Sequence, residues 1–234
     1  MKVHSCMQGT SEWLELRAGI PTASQFDLIL TKSGKPSQSA ERYLYTLLAE
    51  RLMGHPIDEH VSLWMHRGSQ LEKEAITFYE LQRDSETEPV GFITNDKGTI
   101  GASPDRLVGE DGLLEVKCPK EYIHVAYMLQ SGGAYGEYRV QVQGQMWITG
   151  RQWVDVLSYH PELPWALHRI ERDDEFIEKL GSAVIAFSSV LENQWEDLLQ
   201  RGWGPKPRDE REKPLTEIVR DELTKLNADH CQIR

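Results

Sequence analysis

Between Thr99 and Cys118 polar and apolar residues alternate on either side of a Gly109-Glu110-Asp111-Gly112 turn, and the stretch from Ser103 to Lys117 reads SPDRLVGEDGLLEVK. A period of two interrupted by turn residues predicts the two strands of a hairpin. Glu115 and Lys117 then share one face of the second strand, and Val116 points to the other. A hairpin closing on Glu110-Asp111 sets Asp105 opposite Val116, on the wrong face for Glu115; a one-residue bulge would bring the two carboxylates together. Pro104, with no N–H for the ladder, marks a place for such a bulge. An acid and a lysine on one strand face also make ordinary surface ion pairs, so the hairpin alone leaves both readings open.

Helical spacing dominates before this region and returns after it. SEWLELRAGIPTASQFDLIL predicts a short helix from Ser11, a stop at Gly19 and a second helix capped near Thr22. AERYLYTLLAERLMG predicts a helix ending at Gly54, and Trp64, Gly68, Leu71, Ala75 and Phe78 recur as one face of a longer helix from Val61 to Arg83. From Glu86 the pattern changes to strands: TEPVGFIT, TIGASPDRLV and GLLEVKC, then, after helical EYIHVAYMLQ and EYRVQVQGQMWIT, QWVDVLSYH and ALHRIER. An amphipathic helix from Asp174 to Leu199 follows. The expected fold is α/β (α+β), a central mixed β-sheet flanked by helices. Residues 1–204 form one domain, and 205–234 add a charged linker and a C-terminal helical segment packed on it.

Composition limits the function classes. With 234 residues the chain can bury a sizeable core. Its mean hydropathy of -0.51 and the lack of any apolar run near the roughly 20 residues of a membrane helix argue against a membrane protein. The start MKVHSCMQGT lacks the apolar core of a signal peptide. Cys6, Cys118 and Cys231 are odd in number and lack metal spacing, which predicts a reducing compartment, the cytoplasm. Cys118 reads as a small apolar filler at a strand end more than as a reactive thiol. A net charge of -11 counts against indiscriminate DNA coating but not against a nuclease, whose metal-holding acids raise the negative count.

If Asp105 and Glu115 converge, their charges repel unless a cation sits between them, and oxygen ligands of this kind suit Mg²⁺ or Mn²⁺. Such an ion polarises a phosphoryl oxygen and lowers the pKa of a bound water, and an adjacent Lys117 stabilises charge developing on phosphate.

Pro104-Asp105, nine residues, then Glu115-Val116-Lys117 resembles the active-site pattern of the PD-(D/E)XK nuclease superfamily, and this is the only Pro-Asp and the only Glu-x-Lys in the chain. LRAGIPTAS (Leu16 to Ser24), GSQLE (Gly68 to Glu72), ASPD (Ala102 to Asp105), LLEVKCP (Leu113 to Pro119) and YRVQVQGQMW (Tyr138 to Trp147) extend the match. In that order they resemble the phage lambda exonuclease, or YqaJ-type viral recombinase, family. The resemblance implies a restriction-endonuclease-like PD-(D/E)XK core. It implies metal ligation by Asp105, Glu115 and the Val116 carbonyl, a catalytic Lys117, and Glu72 as the helical carboxylate of a two-ion Mg²⁺ site in which Mn²⁺ substitutes. It also implies a 5′-phosphate and DNA pocket of Arg17, Ser24, Ser103 and Gln141, with Tyr138 on the face of Gln141.

Each residue also has an ordinary reading. Glu72 could belong to a solvated helix face with Glu74 and Glu80, Arg17 could complement a helix C-terminus, and Ser24 and Ser103 could be turn residues. Gln141 could be a surface amide and Tyr138 a packed ring. His66 and the seven tryptophans read as filler and core, with one tryptophan free to stack on a DNA end. Where the family often has glycine after the aspartate, this chain has Arg106, which adds a side chain beside the site.

The activity implied is a 5′–3′ exonuclease on double-stranded DNA ends, releasing mononucleotides and leaving a 3′ overhang for a single-strand annealing protein. A ring-shaped homotrimer and a phage or prophage origin in a bacterial host go with it. The rival readings are a PD-(D/E)XK endonuclease of restriction or repair type and, from another class, a non-catalytic DNA-binding or scaffold protein with an ion-paired hairpin.

Overall fold

The computed structural model of the chain describes residues 1–57, 63–129 and 134–205. A short strand β1 (Lys2–His4) precedes helix α1 (Ser11–Arg17), which begins where the Thr10 hydroxyl accepts from the Trp13 N–H. The second expected helix is a 3₁₀ segment, Ala23–Leu28. Short pieces take this tighter form. It buries Phe26 against Gly144, where a Cβ would meet the ring at 2.6 Å. Helix α2 (Ala40–Met53) stops at Gly54 in the left-handed conformation, as read. Helix α3 spans Leu63–Arg83. Val61, where the sequence starts it, lies outside the described residues, as do the side chains of Trp64, His66 and Gly68 and the segment 206–234 with its expected linker and last helix.

The expected central sheet is divided in two. TEPVGFIT, read as one strand, splits into β2 (Thr87–Pro89) and β3 (Phe92–Thr94), and TIGASPDRLV splits into β4 (Gly101–Ala102) and β5 (Arg106–Val108). Strands β1, β3 and β4 form a small antiparallel sheet. The larger sheet has the order β2-β5-β6-β7-β8, with β6 (Gly112–Lys117), β7 (Trp153–Ser158) and β8 (Ala166–Glu171). The breaks have local causes. Gly91 passes so close to Cys6 that a Cβ would lie 2.1 Å from its carbonyl oxygen, and Pro89 and Pro104 cannot continue a ladder as donors. Ser103-Pro104-Asp105 therefore crosses from one sheet to the other.

The hairpin corrects the expected bulge. Arg106, Leu107 and Val108 pair with Leu114, Leu113 and Gly112, leaving a three-residue loop, Gly109–Asp111, in place of a closure on Glu110-Asp111. Gly109 takes a positive φ of 51° at its start. One step beyond the ladder, Asp105 stands opposite Glu115. The register shift comes from the turn and no bulge is needed.

The pair β6–β7 is parallel and the other pairs of this sheet are antiparallel. Its crossover runs through α4 (Glu121–Leu129), a 3₁₀ turn (Ala134–Tyr138) and α5 (Arg139–Thr149). Alternation on β6 sorts its side chains. Leu114 and Val116 pack with Ala75, Ile76 and Tyr79 of α3, and Leu113 packs with Tyr127, Val142 and Met146 of α4 and α5. Glu115 and Lys117 share the face of Leu113 and are thus turned toward α5. A long helix α6 (Asp174–Gln200), capped by Asp173, closes a second core with α2, α5 and the 3₁₀ segment.

Candidate active site

On β6 Glu115 is almost wholly buried, at 3% exposure, on the face that carries Leu113 into the core. Burying a carboxylate there requires partners. Lys117 Nζ and Gln141 Nε2 both donate to Glu115 Oε1, each at 2.6 Å, and Gln145 Nε2 donates to Oε2 at 2.7 Å. Asp105, at the end of the sheet crossing, accepts from the Val116 N–H through Oδ2 at 2.6 Å. Pro104 is itself held by Gln8, whose amide donates to the Pro104 and Val90 carbonyls.

The third acid comes from the other side of the sheet. Helix α3 runs against the direction of β7: Glu74 at its middle accepts from Tyr159, and Tyr79, further on, donates to Asp155. Glu72 therefore lies at the Lys117 end of β6, and its field reaches Asp105. Burial, then the negative charges of Glu115 and Glu72, push the Asp105 carboxyl well above its ordinary range, against the pull of Lys117 and the Val116 N–H. Burial and Glu115 likewise raise Glu72, while Arg106, Lys117 and Lys73 act the other way. Burial opposes the charge on Lys117, but Glu115 and Asp105 outweigh it and raise its pKa.

Asp105 and Glu115 have Lys117 as their one adjacent ammonium, while Glu72 also lies in the field of Arg106 and Lys73; the two buried acids beside one lysine are an imbalance that a cation would relieve. Among the described residues no three His, Cys, Asp or Glu side chains are grouped closely enough to hold a metal ion by themselves. The available donors are two carboxylates, the Val116 carbonyl and water, an all-oxygen set that fits a hard divalent ion retaining several waters.

A second group of expected residues meets at Ser103, two residues before Asp105. Arg17, on the last turn of α1, donates from Nη1 to Ser103 Oγ and from Nη2 to Ser24 Oγ, both at 3.2 Å. Its guanidinium lies 4.1 Å from the centroid of Trp13, whose Nε1 donates to the same Ser103 Oγ at 2.9 Å. Burial lowers the Arg17 pKa, with Tyr43, Glu50 and Glu115 acting against that. Among the described residues no carboxylate ion-pairs with this guanidinium, so a cation held by hydroxyls and rings remains available to an anion.

Two expected residues sit elsewhere than with that pocket. Gln141 is turned to Glu115, and Tyr138 forms a wall beside Lys117, with Nζ 4.7 Å from its ring centroid and its hydroxyl 2.7 Å from that of Tyr127. Arg106 projects from the position paired with Leu114, on the α3 face, where its charge acts on Glu72. Cys118 packs against the α3 cluster, in keeping with the filler reading. Gln145 and Trp13 were not singled out as site residues. Both were accessible through helical spacing: Gln145 is four residues after Gln141, and Trp13 four before Arg17.

Comparison with known proteins follows the same geometry. The model of the YqaJ-like viral recombinase domain matches residues 12–152. The crystal structure of an alkaline exonuclease (LHK-Exo) from Laribacter hongkongensis, and that of LHK-Exo in complex with dAMP, are each similar to this chain at 36% identity. Each match covers 82% of this chain and 98% of that chain, with a TM-score of 0.74. A phage-related exonuclease from Haemophilus somnus 129PT shares the fold at 17% identity and a TM-score of 0.62, over 76% of this chain and 96% of that one. No curated protein matches.

Proposed function

Because the chain belongs to the YqaJ-like viral recombinase family and is related to an alkaline exonuclease, a nuclease function follows, and we propose that it is a Mg²⁺-dependent 5′–3′ exonuclease acting on double-stranded DNA ends. One observation carries the reading. The tripeptide Ser103-Pro104-Asp105 joins an acid-rich site, Asp105 with Glu115 and Lys117, directly to an anion pocket, Arg17 with Ser24 and Ser103. A terminal phosphate gripped in that pocket sets the adjacent phosphodiester near the acids, which selects a strand end over a chain interior.

Asp105, Glu115 and the Val116 carbonyl would hold one Mg²⁺ or Mn²⁺, and Glu72 a second ion or its waters. When bound, such ions supply Lewis-acid polarisation of the phosphoryl oxygen and a water of lowered pKa. Lys117, kept protonated by its acidic neighbours, stabilises the charge that accumulates on the phosphoryl oxygens. Arg17 forks onto the terminal 5′ phosphate, the two serine hydroxyls complete that grip, and Tyr138 limits the free volume around the Lys117 ammonium. The complex of LHK-Exo with dAMP supports mononucleotides as the released product.

The same reading extends to a homotrimeric ring, a closed cyclic assembly in which duplex DNA is threaded, and to delivery of the 3′ overhang to a single-strand annealing protein in the cytoplasm of a bacterial host. Among the described residues no helix is long and apolar enough to cross a membrane.

The test uses linear duplex DNA with and without 5′ phosphates, with closed circular DNA beside it, in Mg²⁺ or Mn²⁺. Digestion confined to ends, faster with the 5′ phosphate, is expected. Cutting of circles would move the assignment to an endonuclease, and inactivity with both metals would leave the three charged residues structural.

A further inference from the structure

Helix α5 buries Gln143 and Gln145 two residues apart, and their surroundings differ. Gln143, at 2% exposure, is satisfied at both ends by main chain: its Nε2 donates to the Glu171 carbonyl at 2.8 Å and its Oε1 accepts from the Asp173 N–H at 2.9 Å. That amide ties the end of β8 to the cap of α6, a structural task. Gln145, at 1% exposure, donates from Nε2 to Glu115 Oε2, while its own Oε1 is buried with no partner among the described residues.

An unpaired buried acceptor is a cost that a packing residue of the same volume would not carry. The neighbouring buried positions Val142 and Met146, which pack with Leu113 of the sheet, show that this side of α5 accepts plain hydrocarbon. The orientation of the Gln145 amide is also fixed. Turning its oxygen toward Glu115 would set an acceptor against a carboxylate, so the NH₂ must face the acid.

Lys117 and Gln141 both occupy Oε1 of Glu115, and Gln145 is the sole partner of Oε2 among the side chains described at this carboxylate. We propose that Gln145 is a positioning residue for the metal site: it holds Glu115 in one rotamer so that the remaining lone pair on Oε2 is directed at a divalent cation shared with Asp105. The proposal rests on the metal reading of Glu115. Outer partners that orient a ligating carboxylate typically change metal affinity or activity by about 10- to 100-fold when removed.

The test is calorimetric binding of Mn²⁺ to the full-length protein without DNA, compared among wild type, Gln145→Met, Gln145→Asn and Gln143→Met. Gln145→Met keeps the volume and deletes the amide; Gln145→Asn keeps an amide but withdraws it by one methylene, and serves if the first variant does not fold. Either Gln145 variant is expected to weaken Mn²⁺ binding by about 10-fold or more. The kcat on DNA ends falls with it and recovers partly at raised Mg²⁺, with KM for DNA unchanged. Gln143→Met is expected to lower the unfolding temperature while keeping the wild-type Mn²⁺ affinity. If wild type binds Mn²⁺ and the folded Gln145 variants bind it equally well, the positioning role is wrong and the metal site stands. If wild type binds no Mn²⁺, the metal reading itself fails and this role with it.

Discussion

Glu115 on β6 and Asp155 on β7 are both buried carboxylates near the middle of one sheet, at 3% and 0% exposure, yet they are built to different ends. Asp155 faces α3. Both its oxygens are taken by cations and a phenol: Arg169 Nε at 2.8 Å, Arg169 Nη2 at 2.9 Å and the Tyr79 hydroxyl at 2.8 Å, with Arg83 at 3.9 Å and the Arg169 guanidinium stacked 3.6 Å from the Trp153 ring centroid. Positive charge exceeds negative there, and the acid is finished. Glu115 faces α5 and has one lysine and two neutral amides for partners, within the field of two further acids. Burial alone does not distinguish a working carboxylate from a structural one. The sign balance of the surrounding charges does.

Four perturbations sharpen or break that contrast. Lys117→Ala is expected to lower kcat by about 10²- to 10³-fold, about 3–4 kcal/mol, with a smaller effect on unfolding; near-normal turnover would place Lys117 outside the chemistry. Asp155→Ala is expected to cost about 3 kcal/mol in denaturant unfolding, at the low end for a broken buried pair because the Arg169 side chain is 38% exposed and can rehydrate. Its Mn²⁺ affinity should match wild type, and a loss of affinity in a folded Asp155→Ala protein would dissolve the distinction.

Arg17→Ala should abolish the preference for a 5′ phosphate, about 1.5–3 kcal/mol or roughly 10- to 100-fold in kcat/KM on phosphorylated ends, and leave ends lacking the phosphate nearly unaffected. Equal losses on both substrates would argue for a packing role beside Trp13. The smallest effect tests a carboxylate remote from both sites. Asp173 caps α6, and its pKa is lowered by the Phe176 N–H and by Arg139. A lowered acid binds fewer protons folded than unfolded. Its contribution is therefore complete above the ordinary aspartate value and is lost as pH falls through the folded one. Asp173→Ala should cost about 1 kcal/mol at neutral pH, read from denaturant midpoints, and progressively less below pH about 4.

The candidate residues could be named from the sequence, because the motif picks out Asp105, Glu115 and Lys117 and the GSQLE resemblance picks out Glu72. Alternation with a two-residue closure, however, set Asp105 on the wrong face, and the actual register rests on a three-residue loop. The order of helices and strands was legible as well. What local pattern supplied only in part was partition between sheets: β3 and β4 read as continuous with β2 and β5, and although Pro89 and Pro104 mark the breaks, the close passage of Gly91 by Cys6 is a contact between residues distant in sequence. The same limit hid the inner partners of Glu115. Gln141 was read toward phosphate, and its turn to the carboxylate depends on how α5 crosses β6, which no single-segment pattern encodes. Asp155 passed unnoticed inside QWVDVLSYH because its partners Tyr79 and Arg169 come from elements on either side of it in the chain.

The hairpin loop Gly109–Asp111 lies far along the strand from the acids and is clamped from beneath by Arg151, whose Nη1 donates to the Val108, Gly109 and Gly112 carbonyls. With Arg106 paired to Leu114, the next pair along, Asp105 and Glu115, falls on one face of the sheet. A slip of the ladder by one residue would set the two acids on opposite faces. By fixing where the ladder closes, one guanidinium at the far end of the hairpin keeps the register on which the meeting of the two carboxylates depends.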